Sequence, residues 1–368
     1  MDAKPVRNYH VLLLSALIIT AAVLAITSGK VIKPVEVAAA NPEESLGSWD
    51  LVNSPVSANL KSVSMLSKSD GWIVGEGGII LRWNGNNWST FVSPTTLTLY
   101  DVHMISANNG WAVGDYGKIL HWDGVSWSQF DSPTGASLFS MDFLSPTEGW
   151  AVGSSTMPCS YGQSGTILKW DGSAWTTVVD SALYIRYRTV EALANNNVWV
   201  MGIYQEADCP PLDYHSPVLV IAHWDGQVWF NKIKTQCNNW INSLALMPDN
   251  TGWAGGTICL AAFDTADNGT LHPVPAGIIS DYNIVSINIV AADDVWAVGG
   301  DHLSLPIKSF TTHWNGSSWE AIPNPGNQVL SGVSMISTND GWAVGYGGTI
   351  LHYMNDTTTY TYLPLATR

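Results

Sequence analysis

Apolar and polar residues alternate with a period of two along short stretches such as residues 61–66, and each stretch runs into a cluster of Asp, Asn and Gly. That pattern predicts half-buried β-strands joined by tight hairpins, because successive side chains of a strand point to opposite faces. Nothing in the chain has the period of a long amphipathic helix. The pattern also repeats. A turn followed by Trp-x-x-Gly recurs with its tryptophan at Trp72, Trp111, Trp150, Trp199, Trp253, Trp296 and Trp342. A second motif, Trp-(Asp/Asn)-Gly-x-x-Trp, pairs Trp83 with Trp88, Trp122 with Trp127, Trp170 with Trp175, Trp224 with Trp229 and Trp314 with Trp319. Seventeen of the 19 tryptophans occupy these positions, which leaves Trp49 and Trp240 to be explained separately. Each unit reads as four strands: the alternating stretch, the Trp-x-x-Gly strand, a strand ending at the first Trp of the pair, and one opening at the second.

Units of this kind stack because one alone cannot bury its apolar face. The chain ends decide between a solenoid and a ring. Trp49 precedes Pro55 at the spacing that separates Trp88 from Pro94 and Trp127 from Pro133, so residues 48–52 read as a fourth strand without its own first three. The last unit, residues 331–353, has three strands and lacks the fourth. The N-terminal strand can complete it, closing a seven-bladed, all-β propeller of four-stranded antiparallel blades over residues 48–363 and removing the open sheet edges. Residues 359–363 could compete for the same edge. The repeat tryptophans are then core residues between blades.

Strands of alternating direction put the first and third turns of every blade on one face and the other connections on the opposite face. The first set is short and rich in acid: Asp70, Glu148, Asp249, Asp293, Asp294, Asp340, Asp123, Asp171 and Asp225. These residues are expected there as turn formers rather than as cation ligands. On the other face some loops are minimal, as at Gly75-Glu76-Gly77-Gly78, while residues 154–165, 203–217 and 300–309 are expanded. The glycine-rich loops join strand to strand and precede no helix, so they lack the geometry that cradles phosphate. Insertions on one face of a repeat protein mark the candidate binding surface. His121, His223, His313 and His352 recur in one register, too far apart in different blades to share a metal, and are expected to be structural; no metal or cofactor site is expected.

Before the repeat, Lys4 and Arg7 precede an apolar run over residues 11–26. This is an export segment, either a cleaved signal peptide or a membrane anchor, over residues 1–28, followed by a linker over residues 29–47; residues 364–368 form a tail. Residues 11–27 offer membrane attachment, and the propeller is expected to lie outside the cytoplasm as a monomer. The formal net charge of -15 would repel a nucleic-acid backbone, so nucleic acid is excluded as a partner. In an exported chain the four cysteines are expected as two disulfides, and their neighbourhood favours Cys159 with Cys209 and Cys237 with Cys259; free buried thiols are the alternative.

Candidate chemistry concentrates on the elaborated face. Glu206, Asp208 and Asp213 form the dense acidic group of one insertion, where a carboxylate pair could serve glycoside hydrolysis. Arg186 and Arg188, with Tyr184 and Tyr187, form a basic and aromatic cluster in the connection from a fourth strand to the next first strand, suited to docking an anion or a sugar, or equally structural as flanks of an inner strand. Trp240, outside the repeat register, and Tyr214 are further binding candidates. No Ser/His/Asp or Cys/His arrangement stands out.

The Asp-Gly-Trp-Ala-Val-Gly unit at residues 340–345 and the Ile-Leu-His-Trp-Asp-Gly-x-x-Trp unit at residues 119–127 resemble those of BNR (Asp-box, sialidase-like) propellers. They look more like the exported propeller family that includes the photosystem II assembly and stability factors, over residues 49–355. The first resemblance implies a carboxylate-binding arginine triad, whereas this chain has only Arg82, Arg186, Arg188 and Arg368 beyond its N-terminal segment, and its Asp-box is reduced. The second implies a non-catalytic scaffold. The reading that follows is a binding scaffold recognising a protein or glycan of the cell envelope through the elaborated face of blades three to five. A glycan-active enzyme, sialidase-like or another glycoside hydrolase, and a purely structural surface protein are the alternatives.

Overall fold

A computed structural model describes residues 47–156, 163–183, 185–204, 218–234, 241–257, 259–264, 270–273, 283–301 and 308–355. These form seven four-stranded antiparallel sheets, the seven blades of a β-propeller. The innermost strands, one per blade, are Leu60–Ser67, Leu99–Ser106, Ser137–Ser145, Ile185–Ala194, Ile241–Leu246, Asn283–Ala291 and Leu330–Ser337. Each packs against the inner strands of both neighbouring blades, the first against the last. In the seventh sheet Ser48–Leu51 runs antiparallel to Ile350–Met354, with Trp49 opposite Tyr353. Residues 1–46 and 356–368 lie outside the described residues, and with them the export segment, most of the linker, the competing strand at 359–363 and the tail.

What joins the blades is an aromatic cluster repeated at every interface. The Trp-x-x-Gly tryptophan of one blade packs between the two aromatics that open and close the outer hairpin of the next: Trp72 lies 4.7 Å from Trp122 and 5.4 Å from Trp127, centroid to centroid. The same arrangement joins the seventh blade to the first, where Trp342 lies 4.7 Å from Trp83 and 5.3 Å from Trp88. Between blades six and seven Trp296 meets Tyr353 at 4.4 Å and Trp49 at 5.8 Å, so the tryptophan outside the C-terminal units fills the position its spacing from Pro55 indicates. Blade five lacks the pair, and among the described residues Phe263 is its ring against Trp199, at 5.4 Å. Tilted and edge-to-face contacts suit the ring quadrupoles, and such pairs stabilise by about 0.5–1.5 kcal/mol beyond their buried area. The motif glycine follows from the same close packing. A Cβ at Gly114 would collide with the Thr98 carbonyl oxygen where the inner strand begins.

The acidic residues at the first turns do more than shape hairpins. Several are the first residues of the second strands, and their side chains reach a base on the third strand: Asp294 to His313 at 2.8 Å, Asp340 to His352 at 2.9 Å, Asp70 to Arg82 at 3.5 Å and Glu148 to Lys169 at 3.5 Å. Asn109 and Asn197 hold His121 and His223 in the same way, at 3.1 and 3.0 Å. Each base then lies on the tryptophan of its own blade, as His352 stacks on Trp342 at 4.0 Å and Arg82 sits 5.0 Å from Trp72. The hairpin reading does fit Asp123, whose carboxylate accepts hydrogen bonds from the Val125 and Ser126 amides of its own turn, both at 2.8 Å.

Trp49 is 2% exposed. Trp49→Ala should lower unfolding free energy by about 3–5 kcal/mol, the usual cost of removing a buried tryptophan. Chemical denaturation of the full chain checks this, and a change no larger than that of a surface substitution would contradict the packing described.

Candidate functional site

The seven inner strands share one irregularity. Their pairing with the second strand slips by one residue near the start, between Leu60 and Ser62, Leu99 and Asp101, Leu138 and Ser140, Tyr187 and Thr189, Ile241 and Ser243, Ile284 and Ser286, and Leu330 and Gly332. The extra residue of such a bulge is free of the ladder and its side chain is re-aimed. The bulged residues are Lys61, Tyr100, Phe139, Arg188, Asn242, Val285 and Ser331, and together with Asn283, Val329 and Tyr346 they line a cavity of about 340 Å³ at one mouth of the central channel. Each stands eleven positions before the tryptophan of its unit.

Beyond the mouth, all seven inner strands line a channel cavity of about 360 Å³. Its wall is a hoop of side chains that accept backbone N–H bonds from the next blade. Ser64 accepts from Met104 at 3.1 Å, Asp101 from Met141 at 2.9 Å, Asp142 from Ala192 at 2.8 Å, Ser243 from Ile287 at 3.0 Å, Asn288 from Met335 at 3.0 Å and Ser334 from Met65 at 3.1 Å. Blades two to four use carboxylates where the others use neutral groups. Burial raises the carboxyl of Asp101 and that of Asp142 above the ordinary range, and it raises Glu191 furthest, with Asp142 and then Asp101 adding to the shift. His103 lies 3.6 Å from Asp142 and works against part of the upward shift of that carboxyl. Among the described residues no three such side chains converge in a way that could hold a metal ion.

The mouth has the opposite character on the side of blades two to four. The guanidinium groups of Arg186 and Arg188 lie over the Phe139 ring at 5.0 and 5.1 Å. Tyr100 meets the same ring edge-on at 5.2 Å and donates its hydroxyl hydrogen to Asp115 at 3.0 Å. Burial pulls the Arg188 guanidinium down to about 10, with the Arg186 charge adding to the effect, and it also lowers Arg186. Burial and the bond to Asp115 push the Tyr100 phenol up to about 12. Both arginines stay cationic near neutral pH, yet little water solvates them. The buried Nε of Arg186 has no hydrogen-bond partner among the described residues. Lys61, across the mouth, is engaged by Glu76 at 2.7 Å and lies 4.8 Å from the Tyr346 ring centre. Two adjacent guanidiniums on an aromatic floor form a seat for a carboxylate.

Of the residues singled out in the sequence, the structure brings Arg186 and Arg188 together, within an inner strand rather than in a connection between blades. Tyr187 does not join them. It is 1% exposed and points the other way, into the blade core, because neighbours on a strand alternate. Tyr184, Glu206, Asp208, Asp213, Tyr214, Trp240, Cys159, Cys209 and Cys237 lie outside the described residues, while Cys259 is buried at the start of the strand Cys259–Asp264. Tyr100, Phe139 and Lys61 were not expected at a site. The fixed distance of eleven residues to each repeat tryptophan is the signal that places them.

No known family profile and no curated protein matches the sequence. Solved structures do share the fold. YCF48 bound to D1 peptide is similar with a TM-score of 0.62 at 17% identity, covering 86% of this chain and 99% of that one. YCF48 from Cyanidioschyzon merolae has a TM-score of 0.61 at 15% identity, over 83% and 99%. A streptogramin B lyase has a TM-score of 0.63 at 10% identity, over 85% and 99%. At these identities the likeness establishes the seven-bladed architecture and nothing finer.

The channel carboxylates make stability depend on pH. A carboxyl whose folded value is raised contributes stability below its unfolded value, about 4, that is lost as pH rises through the folded value. Glu191→Gln keeps the acceptor without the charge. Its melting temperature should lie closest to that of the wild type at about pH 4 and exceed it near pH 8, flattening the wild-type decline, by thermal unfolding at roughly those two values. A variant that is less stable at both would contradict the burial of a titrating group there.

Proposed function

We propose that this protein is a non-catalytic binding scaffold that takes an acidic segment of another protein at the channel mouth. The observation that carries this is the pair Arg186 and Arg188, held over Phe139 beside Tyr100 in a chain whose net charge is -15. A concentrated patch of the opposite sign in an acidic chain both attracts and orients a carboxylate-bearing partner. The occurrence of this fold in YCF48, solved with a D1 peptide bound, supports a peptide as the kind of ligand such a propeller can take.

In this reading the N-terminal segment carries the propeller out of the cytoplasm, as a cleaved signal or as an anchor through residues 11–27, and the strand Ser48–Leu51 closes the ring. The partner is then a protein of the cell envelope, and its footprint extends from the mouth across the expanded loops of blades three to five. Cys259 is disulfide-bonded, and Cys237 is the partner we assign to it, with Cys159 and Cys209 joining the neighbouring loops.

The test is retention of proteins from the producing cell's envelope extract on full-length protein and on an Arg186→Ala, Arg188→Ala variant. The wild type should retain a partner that the variant loses by tenfold or more, about 1.4 kcal/mol, and retention should weaken as salt is raised. Equal retention of the same partner by both would place recognition elsewhere.

A further inference from the structure

Among the described residues only two without glycine's freedom adopt a positive φ, Tyr116 at 53° and Asn250 at 69°. Asparagine tolerates that conformation, but an aromatic residue does so rarely. The turn that holds Tyr116, Asp115–Gly117, has two counterparts in other blades, Glu76–Gly78 and Tyr346–Gly348, and glycine stands at the matching position in both, Gly77 with φ 67° and Gly347 with φ 64°. A side chain at this point meets no obstacle, since a Cβ at Gly77 would have nothing within 4 Å. The backbone strain is therefore the whole cost of a non-glycine residue here.

The Tyr116 side chain does nothing for the fold that offsets this strain. It is 73% exposed, and no ring contact or side-chain hydrogen bond from another described residue holds it. Its turn is nonetheless clamped to the mouth. Asp115 accepts hydrogen bonds from the Tyr100 hydroxyl at 3.0 Å and the Ser137 hydroxyl at 3.1 Å, and the Tyr116 amide donates to Ser137 at 3.4 Å. Tyr100 in turn packs on Phe139, which carries the two guanidiniums. A solvent-facing tyrosine whose turn is tied through Asp115 and Tyr100 to the ring that carries the arginines has the composition of a binding hot spot.

We infer that Tyr116 is a specificity-determining contact, seating an apolar side chain of the acidic segment whose carboxylates meet Arg186 and Arg188. The inference rests on the binding role proposed for the mouth and adds the second half of the ligand: acid for the arginines, an aromatic or other apolar group for the tyrosine. Tyrosine suits this because it offers a large apolar face with few rotatable bonds to immobilise.

Two synthetic acidic peptides test it, one with a central phenylalanine among glutamates and one with alanine in its place, titrated by fluorescence anisotropy into the full-length protein. The wild type should prefer the phenylalanine peptide by roughly twofold to tenfold, the range of an aromatic pair. Tyr116→Gly should bind both peptides equally, at the wild-type affinity for the alanine peptide, while its melting temperature stays level or rises by up to about 2 °C as the strain is relieved. Arg186→Ala with Arg188→Ala should weaken both peptides alike. If the arginine variant loses binding but Tyr116→Gly keeps the full preference, or the wild type shows none, the inference falls and the acidic-segment reading stands. If the wild type binds neither peptide, both fall, and binding of an oligogalacturonide instead would assign the mouth to an anionic glycan.

Discussion

The structure depends on one contact made seven times, the tryptophan of a second strand packed against the outer-hairpin aromatics of the next blade. No blade can bury this ring by itself, because the partners belong to its neighbour. The contact from Trp342 back to Trp83 and Trp88 therefore joins the two ends of the repeat, and Trp296 recruits Trp49 from the start of the chain. Everything close to these rings is constrained by them. In six of the blades a base on the third strand lies against the tryptophan and is fixed by a carboxylate or amide, and the motif glycine lets the second strand approach the inner one.

That rigidity is what makes the inner strands useful. With the blades locked, the same bulge in each strand delivers one side chain to the mouth, and the residues beyond it form a hoop of hydrogen bonds round the wall. The wall is uniform in its task, so Ser, Asp and Asn serve equally as acceptors. The mouth is not uniform. Its side chains range from Val285 to Arg188, and Tyr100, Phe139 and Arg188 stand side by side on blades two to four. Variation where structure asks for nothing in particular, beside a wall where it asks for the same thing seven times, is the physical basis for reading the mouth as the binding surface.

The blades were legible in the sequence because their signals are local. Trp-x-x-Gly and Trp-Asp-Gly-x-x-Trp each lie on a single strand or hairpin, and the spacing from Trp49 to Pro55 needed no knowledge of distant contacts. The mouth was harder to see because a bulge breaks the alternation that identifies a strand. Around Tyr187, Arg188 and Thr189 the period of two slips, so Arg186 and Arg188 read equally as a connection or as flanks of an inner strand, and Tyr187 read as their companion when it faces the core. Phe139 carries no polar group to draw notice, and its importance arises from arginines some fifty positions away on the next blade. The acidic turn residues show the same limit: hairpin chemistry accounts for Asp123, but only the partner on the third strand explains Asp294 and Asp340.

The most direct test of a binding surface at the mouth is hydroxyl-radical footprinting of the protein, free and in complex with the envelope partner it captures. The account predicts that Tyr100, Tyr116 and Phe139 lose reactivity in the complex, while Phe230, exposed on an outer strand, keeps it. Unchanged reactivity at Tyr100, Tyr116 and Phe139, with protection of Phe230 and the outer edges, would contradict it.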